Sequence, residues 1–221
     1  MGELPVHDVG DSARLRSLYK ARVGVVDFVT VPEMTFAVVR GSGDPEGTAF
    51  SSAVQALYSV SYTAHFIVKK RSGEVTRVMP LEALWWFDGI GQAEGAGALT
   101  NMAGVDRSAW HWQAMIAQPE PVTAEVVEQA IEDCRPKHLA ALDELRCERW
   151  AEGQCAQTLH VGPYADEAPT IDRLHAAIAE AGLRPRGAHH EIYLGDPRRS
   201  APEKLRTLLR QPVEPIGERA P

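Results

Sequence analysis

Two segments of the chain have the same plan: VVRGSGDPEGTAFSSAVQALY at residues 38–58 and TLHVGPYADEAPTIDRLHAAI at residues 158–178. Each begins with an apolar, β-branched run, continues through a turn that contains glycine and proline, and ends with apolar residues three and four positions apart. The run is typical of a β-strand and the spacing of an amphipathic helix. Strand, glycine turn, helix and strand succeed one another at 34–87 and again at 155–195. The sequence therefore predicts an α+β fold built from two pseudo-symmetric βαβ-type repeats.

These repeats divide the chain into halves of about 31–120 and 151–216, which end in the similar segments AQPEPV and RQPVEP. Apolar periodicity between them predicts a helical connector over about 123–150. Residues 1–30 are expected to form an N-terminal arm that leads into one domain over 31–221. Side by side, the halves would form an antiparallel sheet with helices on one face and, on the other, a ligand groove along the seam. Chance similarity between short strands is the alternative.

Composition excludes several partners. The formal net charge of -7 argues against nucleic acid, because phosphate backbones are bound by basic faces. The three cysteines have no CxxC spacing, so we expect no disulfide framework. No signal peptide is recognisable, and no apolar run approaches the roughly 18 residues of a membrane span. We therefore expect a cytoplasmic protein with neither a nucleic acid nor a membrane partner; the oligomeric state stays open.

Common catalytic motifs are absent from the sequence. GSGDPEG matches GxGxxG only in part and has Glu46 where the third glycine belongs, and this carboxylate would repel a pyrophosphate. Neither GxSxG nor HExxH occurs. His189 and His190 would point to opposite faces of a strand and could not chelate one metal as a pair. The sequence thus predicts no metal and no cofactor. Residues 88–108, rich in glycine and alanine, are expected to form a long loop.

The strand HHEIYLG at residues 189–195 carries the most informative acid. Glu191 and Tyr193 share one face of this strand, and they face the groove if Ile192 and Leu194 face the helices. A carboxylate among aromatic rings is partly desolvated and its pKa rises. It could balance a ligand cation or act as a general base toward water. The alternative is a solvent-exposed glutamate on an open sheet.

Tryptophan is concentrated in two short stretches. Trp110 and Trp112 would share one face of a strand, whereas Trp85 and Trp86 point to opposite faces. We expect Trp86 to face the groove and Trp85 to lie in the core. Such rings hold flat cationic or conjugated ligands by stacking and cation–π attraction, roughly 0.5–2 kcal/mol per contact. A purely structural role in the core is the alternative for each of them.

Six segments occur in order along the chain: VPEMTFAVVRGSGDP, AVQALYSVSYTAHF, VMPLEALWWF, WHWQAMIAQPEPVT, LHVGPYADEAPTIDRLHAAI and HHEIYLGDPRRSAPEKLRTLLRQPV. Together they resemble the GyrI-like small-molecule-binding family, from about residue 28 to residue 213. The resemblance implies two pseudo-symmetric units that form a groove for hydrophobic, often cationic or polycyclic, compounds. The roughly 30 residues ahead of this region are too few for a DNA-binding domain, so we expect a stand-alone member.

The tryptophan-rich pattern also resembles a subfamily, the cyclopropanoid cyclopropyl hydrolases, which open cyclopropane-bearing DNA-alkylating natural products with water. This resemblance implies an aromatic cage with substrate-binding rings at Tyr58, Trp86, Trp110, Trp112 and Tyr164, completed by Tyr193, and a polar group at Glu191. In the mechanism that we expect, Glu191 takes a proton from water and Tyr193 hydrogen-bonds the substrate carbonyl. The expected function is self-protection or detoxification. The alternatives are a non-catalytic multidrug-binding or sequestering protein, a sensor, and a gyrase-inhibitor-like module.

Overall fold

The computed structural model describes residue 15 and the ranges 17–87 and 106–217. The strands in these ranges are β1 (Asp27–Ser42), β2 (Leu81–Trp86), β3 (His111–Ala117), β4 (Arg146–Val161), β5 (Leu183–Pro185), β6 (His189–Tyr193) and β7 (Arg206–Pro215). The helices that follow β1, β3 and β4 are α1 (Thr48–Ser72), α2 (Ala124–Cys134) and α3 (Ala168–Glu180). Most of the expected loop at 88–108 and half of the expected arm at 1–30 lie outside the described residues.

Six of the seven described strands close into an antiparallel barrel. Their order is β1-β3-β2-β6-β7-β4, and β4 pairs again with β1. The closure depends on the length of β4, 16 residues, since its first part pairs with β1 and its last part with β7. Cys155, for example, pairs with Val29 on one side and with Pro212 on the other. The α+β class and the antiparallel pairing are confirmed, but the sheet is closed.

Two of the helices cover the outside of this barrel. The buried stripe of α1 packs against β1, β2 and β3, and it consists of Ala53, Ala56, Leu57, Val60, Ala64 and Val68. Helix α3 packs against β4 and β7 through Ile171, Leu174 and Ile178. Helix α2 lies on α1 rather than on the sheet. No helix in the described ranges is long and apolar enough to cross a membrane.

The inside of the barrel is filled. Its apolar part is formed by Phe36, Val38, Met115 and Ala117, and charged side chains from β2, β4, β6 and β7 occupy the rest. The face opposite the helices is thus a packed interior, and our expectation of a groove on that face is wrong. The physical reason is that β1 and β4 each pair with two neighbours, which curls the sheet until its free edges meet.

The connector between the halves is shorter than expected. Helix α2 ends at Cys134, one 3-10 turn follows at Arg135–Lys137, and the chain is already in β4 at Arg146. The predicted helix over 123–150 is therefore wrong beyond residue 137. Residues 146–151 satisfy their backbone hydrogen bonds on the edge of β1 instead, so a long-range pairing overrides the local helical periodicity.

Candidate active site

Strand β6 forms the part of the barrel wall between the area that α1 covers and the area that α3 covers. Glu191 is flanked by Ala83 of β2 and by Leu209 of β7. Ala83 belongs to the core under α1, whereas Leu209 belongs to the core under α3. Because Ile192 pairs into the barrel interior, Glu191 and Tyr193 share the helix side of the sheet. The predicted pairing of these two side chains on one face is confirmed, but the direction of that face is the reverse of our expectation.

Glu191 sits at the end of a short hydrogen-bond relay. The Trp85 indole Nε1 donates to the Tyr193 hydroxyl at 3.2 Å, and that hydroxyl donates to Glu191 Oε2 at 2.8 Å. Glu191 is 8% exposed, and burial raises its pKa to about 7 although the Tyr193 hydrogen bond opposes the shift. A carboxyl group that titrates near neutrality is suited to give or take a proton.

Among the described residues, the neighbours of Glu191 supply no strong positive charge on this face of the sheet. His189 Nε2 lies 3.7 Å from Glu191 Oε1, but burial, together with the nearby His175, lowers the pKa of His189 to about 3. His189 is therefore neutral at physiological pH. Burial and the charge of Glu191 raise the pKa of Tyr193 well above its ordinary value, so its phenol keeps its proton.

Tyr164 forms the accessible rim of the site. It follows β4 in a 3-10 turn, Tyr164–Asp166, and its ring meets the Tyr193 ring edge-on at 5.6 Å. Its exposed fraction is 40%, so a ligand can reach it. His160 holds the turn in place with one ring nitrogen 3.1 Å from the Pro163 carbonyl oxygen and the other 3.1 Å from Thr170 Oγ1. Burial and the charge of Glu191 raise the pKa of Tyr164 to about 12.

A second carboxyl group stands beside Glu191. Glu167 immediately precedes α3, is 5% exposed, and has a pKa raised to about 9 by burial and by the charge of Glu191. We did not predict it, because ADEAPT has the composition of a solvated turn. The available signal was its position: the residue just before a helix is fixed by the turn, and this turn also carries Tyr164.

The two adjacent tryptophans of β2 lie on opposite faces, and Trp85 is a core residue as expected, 3% exposed. Trp85 is on the face of Glu191 and contacts Tyr193. Trp86 is on the opposite face of β2 and stacks on His111 with ring centroids 5.9 Å apart. The prediction that Trp86 faces the cleft with Glu191 is wrong. Strand alternation alone could not choose between these residues, because the choice depends on which face the helices cover.

Trp112 is a core residue under α1. It is 2% exposed, and the Phe50 ring of α1 meets it edge-on at 5.2 Å. On its other side the indole lies against Gly41 of β1, where a Cβ would come within 2.3 Å of the ring. The structure therefore places Trp112 behind the site and not on its accessible surface.

Trp110 connects this core to the relay. It is 8% exposed and lies 5.6 Å from the Trp85 ring and 5.6 Å from the Phe87 ring, both in edge-on geometry. The guanidinium carbon of Arg107 is 6.0 Å from its centroid. The aromatic cluster thus runs without interruption from Trp110 through Trp85 to Tyr193, and from there to Tyr164 at the surface.

Tyr58 stands at the side of the site that α1 forms. It is half-buried, packs against the core cluster that contains Leu81, and stacks on Tyr62 at 6.3 Å. Leu81 pairs directly with Tyr193. Burial raises the pKa of Tyr58, so its phenol is protonated at neutral pH. Of the predicted rings, the structure brings Tyr58 and Tyr164 to opposite sides of β6.

The outer face of this closed barrel carries an acid among aromatic rings, and the family comparison gives the class of domain. The chain belongs to the GyrI-like family: the GyrI-like small molecule binding domain matches residues 25–214, which confirms the resemblance seen in the sequence. A comparison with the curated proteins finds no match.

Solved structures from Listeria innocua are similar to this chain over almost their whole length. One, described as a hydrolase, is 34% identical, with 91% of this chain and 98% of that chain covered and a TM-score of 0.74. Another, described as an uncharacterized conserved protein, is 36% identical, with the same coverage and a TM-score of 0.76.

Proposed function

We propose that this protein binds planar hydrophobic or cationic polycyclic compounds at β6 and hydrolytically opens the cyclopropane of DNA-alkylating natural products. The observation that carries the proposal is Glu191, an 8% exposed carboxyl with a pKa raised to about 7. It is hydrogen-bonded to Tyr193, whose ring meets the accessible ring of Tyr164. The similarity to a Listeria innocua protein described as a hydrolase supports a hydrolytic reaction. Protection of the cell from such compounds would be the biological role.

The ligand would lie over β6 between Tyr58 on the α1 side and Tyr164 on the α3 side. These phenol rings offer faces for stacking on a flat conjugated system. Behind these phenol rings lie the buried indoles of Trp85, Trp110 and Trp112. The indoles contribute by keeping the site rigid and apolar. The strand–helix–strand–strand order of both halves, β1-α1-β2-β3 and β4-α3-β6-β7 with the short β5 inserted, supports a pseudo-twofold relation with the cleft at the junction.

The reaction adds one water molecule to the substrate. The water oxygen bonds to the unsubstituted cyclopropane carbon while Glu191 takes a proton from that water. The strained C–C bond breaks, and its electron pair moves through the conjugated ring to the carbonyl oxygen, which becomes a phenolate and is then protonated from solvent. Relief of ring strain and formation of the aromatic ring favour product, so one positioned base can suffice.

The two tyrosines take different parts in this scheme. The Tyr193 proton is directed at Glu191 Oε2, so Tyr193 orients the base rather than the substrate. Tyr164 has a phenol with a pKa of about 12 and lies at the accessible rim, and we assign to it the hydrogen bond to the developing oxyanion. This assignment transfers to Tyr164 the role that the sequence suggested for Tyr193.

The test is turnover of a duocarmycin-type cyclopropane compound by the purified protein, followed by mass spectrometry. We expect a ring-opened product with the mass of one added water, formed in molar excess over protein. Glu191→Gln should lose at least about a hundredfold in rate, as removal of a general base does, and should bind the compound within about threefold of wild type. An unchanged rate in this variant would remove Glu191 from the mechanism.

A sequestering protein is the second candidate, and the family description, which names binding alone, favours it. The same experiment separates the two. Recovery of unchanged compound at no more than one equivalent per chain would support sequestration and exclude catalysis of this substrate. Wild type and Glu191→Gln would then both retain binding, as measured by tryptophan fluorescence.

A further inference from the structure

We propose that Glu167 and Glu191 act as one carboxyl pair that holds a single proton, with Glu167 as its neutral member and Glu191 as the base. The inference rests on the proposed function and deepens it. It assigns to Glu167, which the sequence did not single out, the part of a positioning residue that sets the protonation state of the site.

The turn between β4 and α3 brings Glu167 to this place. Its backbone N–H donates to the Tyr164 carbonyl oxygen at 3.2 Å, so one turn presents the Tyr164 ring to Tyr193 and holds the buried Glu167 carboxyl close enough for the charge of Glu191 to act on it. The Glu167 Oε1 atom is buried and has no hydrogen-bond partner among the described residues. Thr207 Oγ1, which also has no partner by these geometric criteria, belongs to the residue of β7 that pairs with Tyr193. It is near enough to Glu167 to oppose part of the rise in the pKa of that carboxyl, but burial and the charge of Glu191 outweigh it.

An unpartnered buried carboxyl oxygen is costly when ionised and much less so when protonated. No arginine or lysine in the described ranges forms an ion pair with either carboxyl group. Two carboxylates in one desolvated pocket repel each other, and such pairs therefore retain one proton at pH values where isolated acids would have lost both.

Other ionisable groups around the pair do not change this conclusion. They are His189 and Tyr193 on β6, His175 on α3, Tyr164 in the turn and Asp196 after β6. Burial lowers the pKa values of both histidines, so neither is a cation at neutral pH. His190 is a cation, but it points into the barrel and pairs there with Glu82 and Glu152. Arg173 is exposed and donates to Thr170 Oγ1 at 3.0 Å.

The pKa values agree with this geometry. Burial raises the pKa of Glu191 to about 7, and burial with the added charge of Glu191 raises the pKa of Glu167 to about 9. Between these values the pair carries one proton, and Glu191 is the ionised member. A base is then available while the site contains one negative charge and not two, so the phenolate that forms on ring opening is repelled by one carboxylate only.

The first test compares pH profiles of kcat/KM for wild type and Glu167→Gln, after subtraction of uncatalysed opening. For wild type we expect activity to rise through about pH 7 and to fall through about pH 9. Glu167→Gln should keep the rise and lose the fall, because an amide has the shape of a protonated carboxyl and is neutral at every pH. Asp166→Asn, an exposed acid in the same turn, is the matched control and should keep both limbs. His190 also loses its charge near pH 9, in both variants, so the decisive quantity is the ratio of kcat/KM for Glu167→Gln to that for Asp166→Asn at each pH. A ratio that does not rise through about pH 9 would overturn the proposal.

The second test needs no substrate. Carbon-13 NMR of labelled glutamate side chains would follow the titration of both carboxyls in the free protein. Glu191→Gln should lower the pKa of Glu167 by at least one unit, because the repelling charge is gone; an unchanged pKa would overturn the pairing. If no cyclopropane compound is turned over, the hydrolase proposal fails while this measurement still decides on the pair.

Discussion

Glu191 is a buried carboxyl group that accepts a hydrogen bond from a neighbouring hydroxyl. One donor, the Tyr193 hydroxyl, is aimed at it, and that hydroxyl is itself fixed by the Trp85 indole. With no donor its pKa would rise further, and with a buried cation beside it the pKa would fall to the ordinary range or below. At the scale of single residues, the site therefore depends on one hydroxyl that tunes the base.

Removal of that hydroxyl should change the pH dependence and leave the rings in place. In Tyr193→Phe the ionised form of Glu191 loses a charge-assisted hydrogen bond, worth about 1.5–3 kcal/mol. Since 1.36 kcal/mol corresponds to one pKa unit, the rising limb of the kcat/KM profile should move up by roughly one to two pH units. Tyr62→Phe, on the exposed side of α1, should leave the limb where it is. A rising limb that stays near pH 7 in Tyr193→Phe would contradict the relay.

The elements that the sequence predicts well are those whose signal is local. The existence of a helix at α1 follows from the spacing of its apolar residues, although the buried stripe itself runs from Ala53 to Val68. The sharing of one face by Glu191 and Tyr193 follows from strand alternation. The start of β4 at Arg146 does not follow from a local signal. The first residues of β4 are extended only because they pair with β1, which is far away in the chain. Which of Trp85 and Trp86 enters the site is likewise decided by the position of α1.

Packing between elements sets the shape of the site's rear wall. Gly41 of β1 provides the space for the Trp112 indole, and Gly41→Ala would drive a methyl group into that ring. We expect a loss of about 1–3 kcal/mol in the free energy of unfolding, the usual cost of overpacking, measured by urea denaturation. Gly195→Ala, where the nearest atom is 3.8 Å from the new methyl group, should change stability by less than about 1 kcal/mol. Equal effects of the two substitutions would argue against the close contact.

At the scale of the whole molecule, the closed barrel encloses a charged cluster. His190 Nδ1 lies 2.9 Å from Glu152 Oε1, and its Nε2 lies 3.0 Å from Glu82 Oε2. Arg210 pairs with Glu152 at 3.2 Å, and the Tyr19 hydroxyl donates to Glu82 at 2.6 Å. These residues come from four strands and the N-terminal segment. No local pattern in the sequence predicts the cluster, because charged residues in strands usually face solvent and only closure of the sheet brings these together.

The cluster requires a protonated histidine. Burial disfavours the charge on His190, but Glu152 and Glu82 outweigh that effect and raise its pKa to about 9. The pKa of Glu152 is lowered to about 2, because His190 and Arg210 outweigh its own burial. A raised histidine pKa stabilises the fold fully below the unfolded value near 6.5, and this contribution is lost as the pH rises through about 9.

Glu152→Gln should therefore destabilise the protein and flatten part of the pH dependence of its free energy of unfolding. It leaves Arg210 and His190 short of a buried anion, a change that typically costs about 3–5 kcal/mol. Glu191 and Glu167, whose pKa values are also raised, give a stability slope of the same sign, so the informative quantity is the difference between the variant and wild type. Urea unfolding from pH 6 to pH 9 should show this difference shrinking as the pH rises. A difference that is constant with pH would mean that His190 does not carry the charge.

Consecutive residues of β6 face two different environments: His190 faces the barrel interior, and Glu191 faces the candidate site. A shift of the β6 register by one residue would turn the His190 imidazolium toward the candidate site and add a third acid, Glu191, to the barrel interior. We therefore expect insertions or deletions within this strand to prevent folding. The turn that carries Tyr164 is outside that constraint. A protein engineer who wishes to change the range of accepted compounds can therefore vary the exposed positions Ala165 and Asp166 and should leave Tyr164, Glu167 and the strand untouched.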